Sequence, residues 1–283
     1  MPTPLCLLGG AGVEDRAAHG HDRDRFVEIG SLSKVFTGTV LAQLAKEGVV
    51  GLDTPLEECL EEVPVGTGIT LRHLAEHTSG LPRLPPGPAG PPDDPYATFT
   101  EQALRASLRE LDRVATGPLG KEEYSNLGYA VLGHALTTVT ERSYQQLVDD
   151  HVLLPLGLGA GAVTALPPQE GRLVPRGLFG RPSPLWTLTG PILPAGGLWS
   201  TCRTLSDIVV GLLVERRLGS PAPSWQRSAP ITWHNGATRG SSVVAAAHDD
   251  GRWIVLHRLG AADRTDRLAR EALLAAPAPH GGT

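Results

Sequence analysis

Strand-forming sequence is confined to the two ends of the chain, and this distribution constrains the fold most. Near the N-terminus, residues 5–8 and 26–29 are short apolar runs bounded by glycine. Near the C-terminus, three strands and a final helix are predicted at residues 231–234, 242–247, 253–259 and 263–275. We therefore predict an α/β (α+β) protein in which one antiparallel sheet contains strands from both termini, is flanked by helices and is interrupted by a mainly helical insertion.

Charge and hydropathy exclude two classes of partner. Lys and Arg total 25 against 30 Asp and Glu, and no basic run occurs, so we expect no nucleic-acid partner. The apolar runs are much shorter than the roughly 20 residues of a membrane-spanning helix, so we expect no membrane span.

The three cysteines, Cys6, Cys59 and Cys202, are odd in number and widely spaced. Such spacing indicates neither a disulfide framework nor a zinc site, and a reducing compartment is the simpler interpretation. Residues 1–12 have no positively charged segment and no long apolar run, so they do not match a secretory signal. We therefore expect a cytoplasmic protein.

Ser31 and Lys34 form an S-x-x-K motif at the start of a helix predicted over residues 31–47. The i, i+3 spacing sets the hydroxyl beside the amine on one helix face. A serine hydroxyl needs an adjacent base to become nucleophilic, and a partly buried lysine has a lowered pKa that suits this task. The alternative is an ordinary helix start with a solvated lysine.

Two further tripeptides carry polar groups suited to the same chemistry. In Y-S-N, Tyr124 is a candidate acid or base and Asn126 offers an amide. The alternative is a loop tyrosine and a helix-capping asparagine, and capping counts only weakly against a catalytic role. In H-N-G, His234 is a titratable group on a predicted strand, and Gly236 lets a substrate backbone come close. H-x-G alone carries little weight, because residues 280–282 match it too.

In this order, S-L-S-K, Y-S-N and H-N-G resemble the three motifs of the serine beta-lactamase and penicillin-recognising superfamily. The similarity is to its class C-like branch of esterases and D-alanyl-D-alanine carboxypeptidases. It extends from about residue 5 to 275 and includes FVEIGSLSKVFTGTVLAQLAKEG, LRHLAEHTSGLP, YSNLGYAVLG, PAGGLWSTCRTLSDI and ITWHNGATRGSS.

The resemblance implies a role for each motif residue. Ser31 would be the nucleophile, Lys34 its base or proton relay, and Tyr124 the partner acid and base. Asn126 would bind a substrate amide or tether Lys34, and His234 would supply positive or hydrogen-bonding character across the cleft.

The resemblance also implies where a substrate would bind. The backbone N–H groups of Ser31 and Ala237 would form an oxyanion hole, and Asn126, Gly236 and Ala237 would contact the substrate. No metal and no cofactor is implied.

The implied fold is that of beta-lactamases and transpeptidases. We predict a single catalytic domain over residues 1–283, with a sheet subdomain at residues 1–30 and 228–283 and a mainly helical subdomain at residues 31–227. The active site would lie in the groove between them. The Pro-rich segments 82–95 and 167–194 would form its walls.

The implied activity is that of a serine hydrolase cleaving a small-molecule ester or amide, either beta-lactam-like or D-amino-acid peptide-like, through an acyl-enzyme on Ser31. Histidine in the third motif weakens the case for an antibiotic-destroying enzyme. Two alternatives are an acyltransferase using an acceptor other than water and a covalent ligand sensor, or inactive relative, that does not turn over. The natural substrate and the oligomeric state stay open.

Other patterns have competing interpretations. Residues 73–77 match the H-x-x-E-H zinc motif, but a structural helix is favoured. Residues 19–21, H-G-H, are expected to be a solvated turn. Trp199 and Trp233 are candidates for an acyl pocket, with core packing at least as good an explanation.

Overall fold

The computed structural model describes residues 2–10, 12–87, 90–177 and 180–277. Its main sheet has six antiparallel strands, all from the two ends of the chain, which confirms the predicted arrangement. The strands are β1 (Leu5–Gly9), β2 (Arg16–Ala18), β6 (Gln226–Ser228), β7 (Ile231–Ala237), β8 (Ser242–His248) and β9 (Trp253–Arg258). Their order across the sheet is β2-β1-β9-β8-β7-β6.

A second, three-stranded sheet was not predicted. It consists of β3 (Val27–Glu28), β4 (Val163–Thr164) and β5 (Trp199–Ser200), with β5 in the centre. Two-residue strands have too few positions to show an alternating pattern, so the sequence predicted a strand only at the segment that contains β3. The division into two subdomains stays a prediction, and β3 lies in this small sheet rather than in the main one.

The insertion is mainly helical between its Pro-rich segments. Its helices are α1 (Ser33–Lys46), α2 (Leu56–Cys59), α3 (Leu71–Ala75), α4 (Glu101–Arg109), α5 (Leu111–Val114), α6 (Asn126–Thr140), α7 (Tyr144–Val148), α8 (Leu193–Gly196) and α9 (Cys202–Val209), and α10 (Ala262–Ala275) follows the last strand. Helices α7 and α9 each continue into a wider π-helical turn. Thr100 caps α4, because its hydroxyl accepts a hydrogen bond from the N–H of Ala103.

Helix α1 is buried around nearly its whole circumference. Val35, Phe36, Val40 and Leu41 are all almost fully buried in the largest apolar cluster. A helix enclosed on all sides has little freedom to shift, so the residues at its start are held firmly. None of the helices in the described part of the chain is long and apolar enough to cross a membrane.

Candidate active site

Ser31 lies in a single 3-10 turn, Gly30–Leu32, that leads directly into α1. The turn begins at Gly30 with a φ of 49°, a left-handed conformation that glycine adopts without strain. The N–H of Ile29, just before the turn, donates to the carbonyl of Leu198 and so ties the turn to the chain entering β5. The nucleophile predicted from the sequence is thus a half-buried residue at the N-terminal end of a buried helix.

Two glycines allow β7 to approach this turn closely. A Cβ on Gly30 would lie 2.6 Å from the carbonyl oxygen and 2.7 Å from the nitrogen of Ala237. A Cβ on Gly236 would lie only 1.9 Å from the carbonyl oxygen of Ile29. Neither position has room for a side chain, which explains physically why the third motif needs its glycine.

The hydrogen-bond pattern of β7 gives the direction of the Ala237 N–H. Thr238 donates its N–H to the carbonyl of Ser241 at 2.9 Å, and antiparallel strands alternate between bonded and non-bonded pairs. Ala237, opposite Ser242, therefore points its N–H away from β8. This N–H lies beside Gly30, one residue from Ser31, as the predicted oxyanion pair requires.

The first two motifs meet at the hydroxyl of Ser31. Its Oγ is 3.2 Å from Nζ of Lys34 and accepts a hydrogen bond of 2.7 Å from the hydroxyl of Tyr124. Lys34 also donates to Oδ1 of Asn126 at 2.8 Å and to the carbonyl of Ala195 at 2.6 Å. Four of the five predicted catalytic side chains are therefore joined by direct contacts.

Burial controls the protonation of this cluster. It lowers the pKa of Lys34 well below its ordinary value, and the nearby Arg83 guanidinium lowers it further. Burial also raises the pKa of Tyr124 to about 12, against smaller opposing effects of the Ser31 hydrogen bond and Arg83. Near neutral pH, Lys34 is thus biased towards the free amine while Tyr124 keeps its proton.

The hydrogen bonds agree with a neutral Lys34. A neutral amine has two N–H donors and one lone pair, and the donors face two oxygens that can only accept, those of Asn126 and Ala195. The lone pair is then available to the Ser31 hydroxyl, while the Tyr124 hydroxyl donates to the same oxygen. This is a serine placed between a base and an acid.

His234 is on the cleft-forming strand but is 1% exposed. Its Nδ1–H donates to the carbonyl of Asn235 at 2.6 Å. Burial is the main cause that lowers the pKa of His234 to about 3; Lys34 lowers it further only when protonated, and the Asn235 hydrogen bond opposes the shift only partly. The ring is therefore neutral at pH 7, which leaves hydrogen bonding rather than positive charge as its compatible role.

His77 is a site residue that received no role from the sequence. Its Nδ1 accepts a hydrogen bond of 3.1 Å from the N–H of Ser125, and its ring centroid is 4.5 Å from that of Tyr124. Burial lowers the pKa of His77 to about 3, so the ring stays neutral and can accept this bond. The side chain thus supports Tyr124, and the HTSGLP segment was the available signal.

The same contacts remove the zinc interpretation of residues 73–77. His73 completes a capping box with Thr70, with its Nδ1 3.2 Å from the N–H of Thr70. Glu76 pairs with Arg72 at 3.6 Å, and His77 faces the tyrosines. The three side chains thus have separate partners.

The cavity at Ser31 is small, at about 20 Å³. Its walls are Gly30, Ser31, Tyr96, Asn126, Trp186, Leu188, Ile192, Ala195, Gly196 and Ala237. The hydroxyl of Tyr96 accepts a 2.6 Å hydrogen bond from Asn126, and its ring meets Trp186 edge-on. Trp186, rather than the predicted Trp199 or Trp233, is the indole at this cavity.

The two Pro-rich segments meet above the cavity. Thr187 donates its N–H and its hydroxyl to the carboxylate of Asp94, at 3.0 and 2.7 Å. Arg239, in the turn after β7, pairs with Asp93 at 3.0 Å. Segment 167–194 supplies Trp186, Leu188 and Ile192 to the cavity wall, as predicted, whereas no described residue of segment 82–95 lines this cavity. Residues 88–89 and 178–179 lie outside the described residues.

Comparison with known proteins places this geometry in a family. Among curated proteins, D-alanyl-D-alanine-carboxypeptidase/endopeptidase AmpH of Escherichia coli K12 is 34% identical over 156 residues, 53% of this chain and 40% of AmpH. Putative beta-lactamase-like 1 of Homo sapiens is 30% identical over 305 residues, 97% of this chain and 59% of that protein. The chain spans less than two thirds of either relative.

Solved structures share the fold. A beta-lactamase/D-alanine carboxypeptidase from Yersinia pestis, solved with citrate, superimposes with a TM-score of 0.75 at 22% identity, covering 96% of this chain and 92% of that one. A class C beta-lactamase from Rhodobacter sphaeroides gives a TM-score of 0.75 at 17% identity, covering 96% and 93%. A sequence model of the beta-lactamase family matches residues 6–276, and the chain therefore belongs to that family.

Proposed function

We propose that this protein is a serine hydrolase that cleaves a small ester or amide through an acyl-enzyme on Ser31. The observation that carries the proposal is the position of the Ser31 Oγ, 3.2 Å from the Lys34 amine and 2.7 Å from the Tyr124 hydroxyl. A base and an acid on one hydroxyl are what acyl transfer to serine needs.

Acylation begins with a proton transfer. Lys34, as the free amine, takes the proton of the Ser31 hydroxyl while Oγ bonds to the substrate carbonyl carbon. The N–H groups of Ser31 and Ala237 stabilise the oxyanion, and one such donor contributes about 3–4 kcal/mol in other acyl-transfer enzymes. Tyr124 then protonates the leaving alcohol or amine, and the proton held by Lys34 restores the phenol.

Deacylation runs through the same groups in reverse. Water occupies the place of the leaving group and gives a proton to the free amine of Lys34 as it attacks the ester carbonyl. The proton returns to Oγ of Ser31 when the carboxylic acid leaves. His77 and His234, with pKa values of about 3, remain neutral throughout.

The substrate class rests on the family. AmpH is named as a D-alanyl-D-alanine carboxypeptidase and endopeptidase, which favours peptides ending in D-amino acids alongside simple esters. The cavity of about 20 Å³ has room for roughly one methyl-sized group and favours a small acyl substituent. We keep the single catalytic domain over residues 1–283 as part of this proposal.

Turnover assays test the proposal and separate its alternatives. Hydrolysis of p-nitrophenyl acetate, a D-alanyl-D-alanine dipeptide and nitrocefin is measured for the wild type, for Ser31→Ala and for Ser228→Ala, an exposed serine of β6. We expect turnover in the wild type and Ser228→Ala, and none in Ser31→Ala. Product ratios that shift when an amine or alcohol acceptor is added indicate the acyltransferase, and acylation without turnover indicates the sensor.

A further inference from the structure

A second cluster of reactive side chains lies buried outside the active site. Cys6 on β1, Cys202 at the start of α9 and His21 in the turn after β2 place both sulfurs and one ring nitrogen within 4.8 Å of one another. His257 on β9 is the cross-strand partner of Cys6, and its Nδ1 is 2.7 Å from Nε2 of His21. Two of the three cysteines thus meet His21, and His257 lies beside His21 but outside this set of three mutually close donor atoms.

The outer nitrogens of both rings face groups that assign their protons. Nδ1 of His21 is 3.0 Å from the carbonyl of Asp22, which can only accept, so this nitrogen carries the hydrogen. The hydroxyl of Ser241 donates to the carbonyl of Glu28 at 3.0 Å. With the hydroxyl hydrogen directed at Glu28, the 2.6 Å contact with Nε2 of His257 uses the ring N–H. With that hydrogen directed at His257 instead, Nδ1 of His257 donates to Nε2 of His21.

In the first of these two tautomers, the inner nitrogens are left without a hydrogen. A neutral imidazole has a single N–H, and both rings have used theirs on the outer side. Nε2 of His21 and Nδ1 of His257 consequently point lone pairs at each other across 2.7 Å. Two opposed lone pairs repel, and a cation bound by both relieves the repulsion.

We propose that Cys6, Cys202, His21 and His257 form a binding site for a thiophilic divalent metal ion, with Zn²⁺ as the best fit. Two sulfurs and two imidazole nitrogens are the donors of tetrahedral structural zinc sites. The two thiolates offset the charge of the ion, which suits a site that is buried on all sides. On metal binding each thiol releases its proton to solvent, and four metal–ligand bonds form.

The surroundings match a metal site in a further respect. Zinc-bound histidines generally donate their other ring N–H to a backbone carbonyl or similar acceptor, as His21 does to Asp22 and His257 to Ser241. Zn–N bonds of about 2.0–2.1 Å in a tetrahedron separate two nitrogens by about 3.3 Å. Loading therefore requires the two rings to move apart by about 0.6 Å and the His257 ring to move towards the two sulfurs, so that it joins the other three donors.

The spacing of the cysteines gave no sign of this site. Its ligands come from two strands, a turn and a helix, and such a set has no local sequence pattern. The turn at residues 19–21 is present, but the expected solvation is wrong for His21, which is 7% exposed. Its ring is directed inwards, against His257 and close to the two sulfurs.

The test is metal loading of the intact, thiol-reduced protein. Wild type, Cys202→Ala, Cys59→Ala and Ser31→Ala are equilibrated with Zn²⁺, dialysed, and analysed for bound metal, melting temperature and the absorption spectrum with Co²⁺ in its place. Cys59 is the matched control, because it is a buried cysteine in the apolar core. We expect about one tightly held Zn²⁺, a higher melting temperature and a thiolate-to-cobalt absorption band in all proteins except Cys202→Ala.

Any one of three results would contradict the proposed metal site. They are a folded, reduced wild type that retains no stoichiometric Zn²⁺, a cobalt spectrum without thiolate ligation, or retention of the metal by Cys202→Ala. The cobalt spectrum of the wild type decides the question even if Cys202→Ala does not fold. A protein isolated with a Cys6–Cys202 disulfide, about 2 Da lighter, is reduced and loaded again, and failure to bind then counts against the site. Because Ser31→Ala is expected to bind metal normally, this result is independent of the proposed catalysis.

Discussion

Replacing Gly236 by alanine tests whether the close approach of β7 to the Ser31 turn sets the catalytic geometry. The new Cβ would lie 1.9 Å from the carbonyl oxygen of Ile29, whereas such contacts need about 3.2 Å. The two backbones must therefore separate by more than about 1 Å, and a displacement of this size costs about 100-fold in rate when catalytic groups are misplaced. Strain in the packed interior adds about 1–3 kcal/mol of lost stability.

The assay is kcat/KM for p-nitrophenyl acetate together with the free energy of unfolding in urea. Gly159→Ala is the control, because Gly159 is exposed and a Cβ there meets nothing within 4 Å. We expect the control to keep wild-type activity and stability, and Gly236→Ala to lose about 100-fold in kcat/KM. If Gly236→Ala kept wild-type turnover and stability, the prediction would be wrong, because the contact of β7 with the Ser31 turn would then not position the reacting groups.

The remaining predictions concern the acid, the base and the acyl cavity. Tyr124→Phe removes the 2.7 Å donor to Ser31, so we expect kcat/KM to fall about 10²–10⁴-fold with little change in melting temperature, and undiminished turnover would contradict the role of the phenol. The pH dependence of kcat/KM should rise through the lowered pKa of Lys34, because only the free amine accepts the serine proton. His234 and His77, with pKa values of about 3, should add no step, so a step near pH 6.5 that disappears in His234→Gln would show a charged histidine instead. Trp186→Ala widens the cavity of about 20 Å³, so the ratio of p-nitrophenyl butyrate to acetate turnover should rise, and an unchanged ratio would place the acyl group elsewhere.

The main sheet was predictable because its strands carry their own signals. Strand-forming residues bounded by turn residues mark β1 and β7–β9 at the two termini, and their pairing follows once both ends must share one core. The small sheet was not predictable, since Val27 and Glu28 pair with Ser200 and Trp199, about 170 residues further along the chain. Nothing local distinguishes such short strands from loops.

The site shows the same division between local and tertiary information. The contact between Ser31 and Lys34 follows from helix geometry, so the spacing of the motif was sufficient. The sequence did not predict that Trp186 lines the cavity, because Trp186 belongs to an irregular Pro-rich segment whose conformation has no sequence pattern. The neutral state of His234 depends on burial, which no single-residue pattern reports.

The most direct test of the central claim is the intact mass of the protein after treatment with a fluorophosphonate probe, followed by peptide mapping. We expect one adduct on Ser31 of the wild type and none in folded Ser31→Ala, because the Lys34 amine and the Tyr124 hydroxyl activate the Ser31 hydroxyl. An unlabelled, well-folded wild type, or equal labelling of Ser31→Ala, would contradict it.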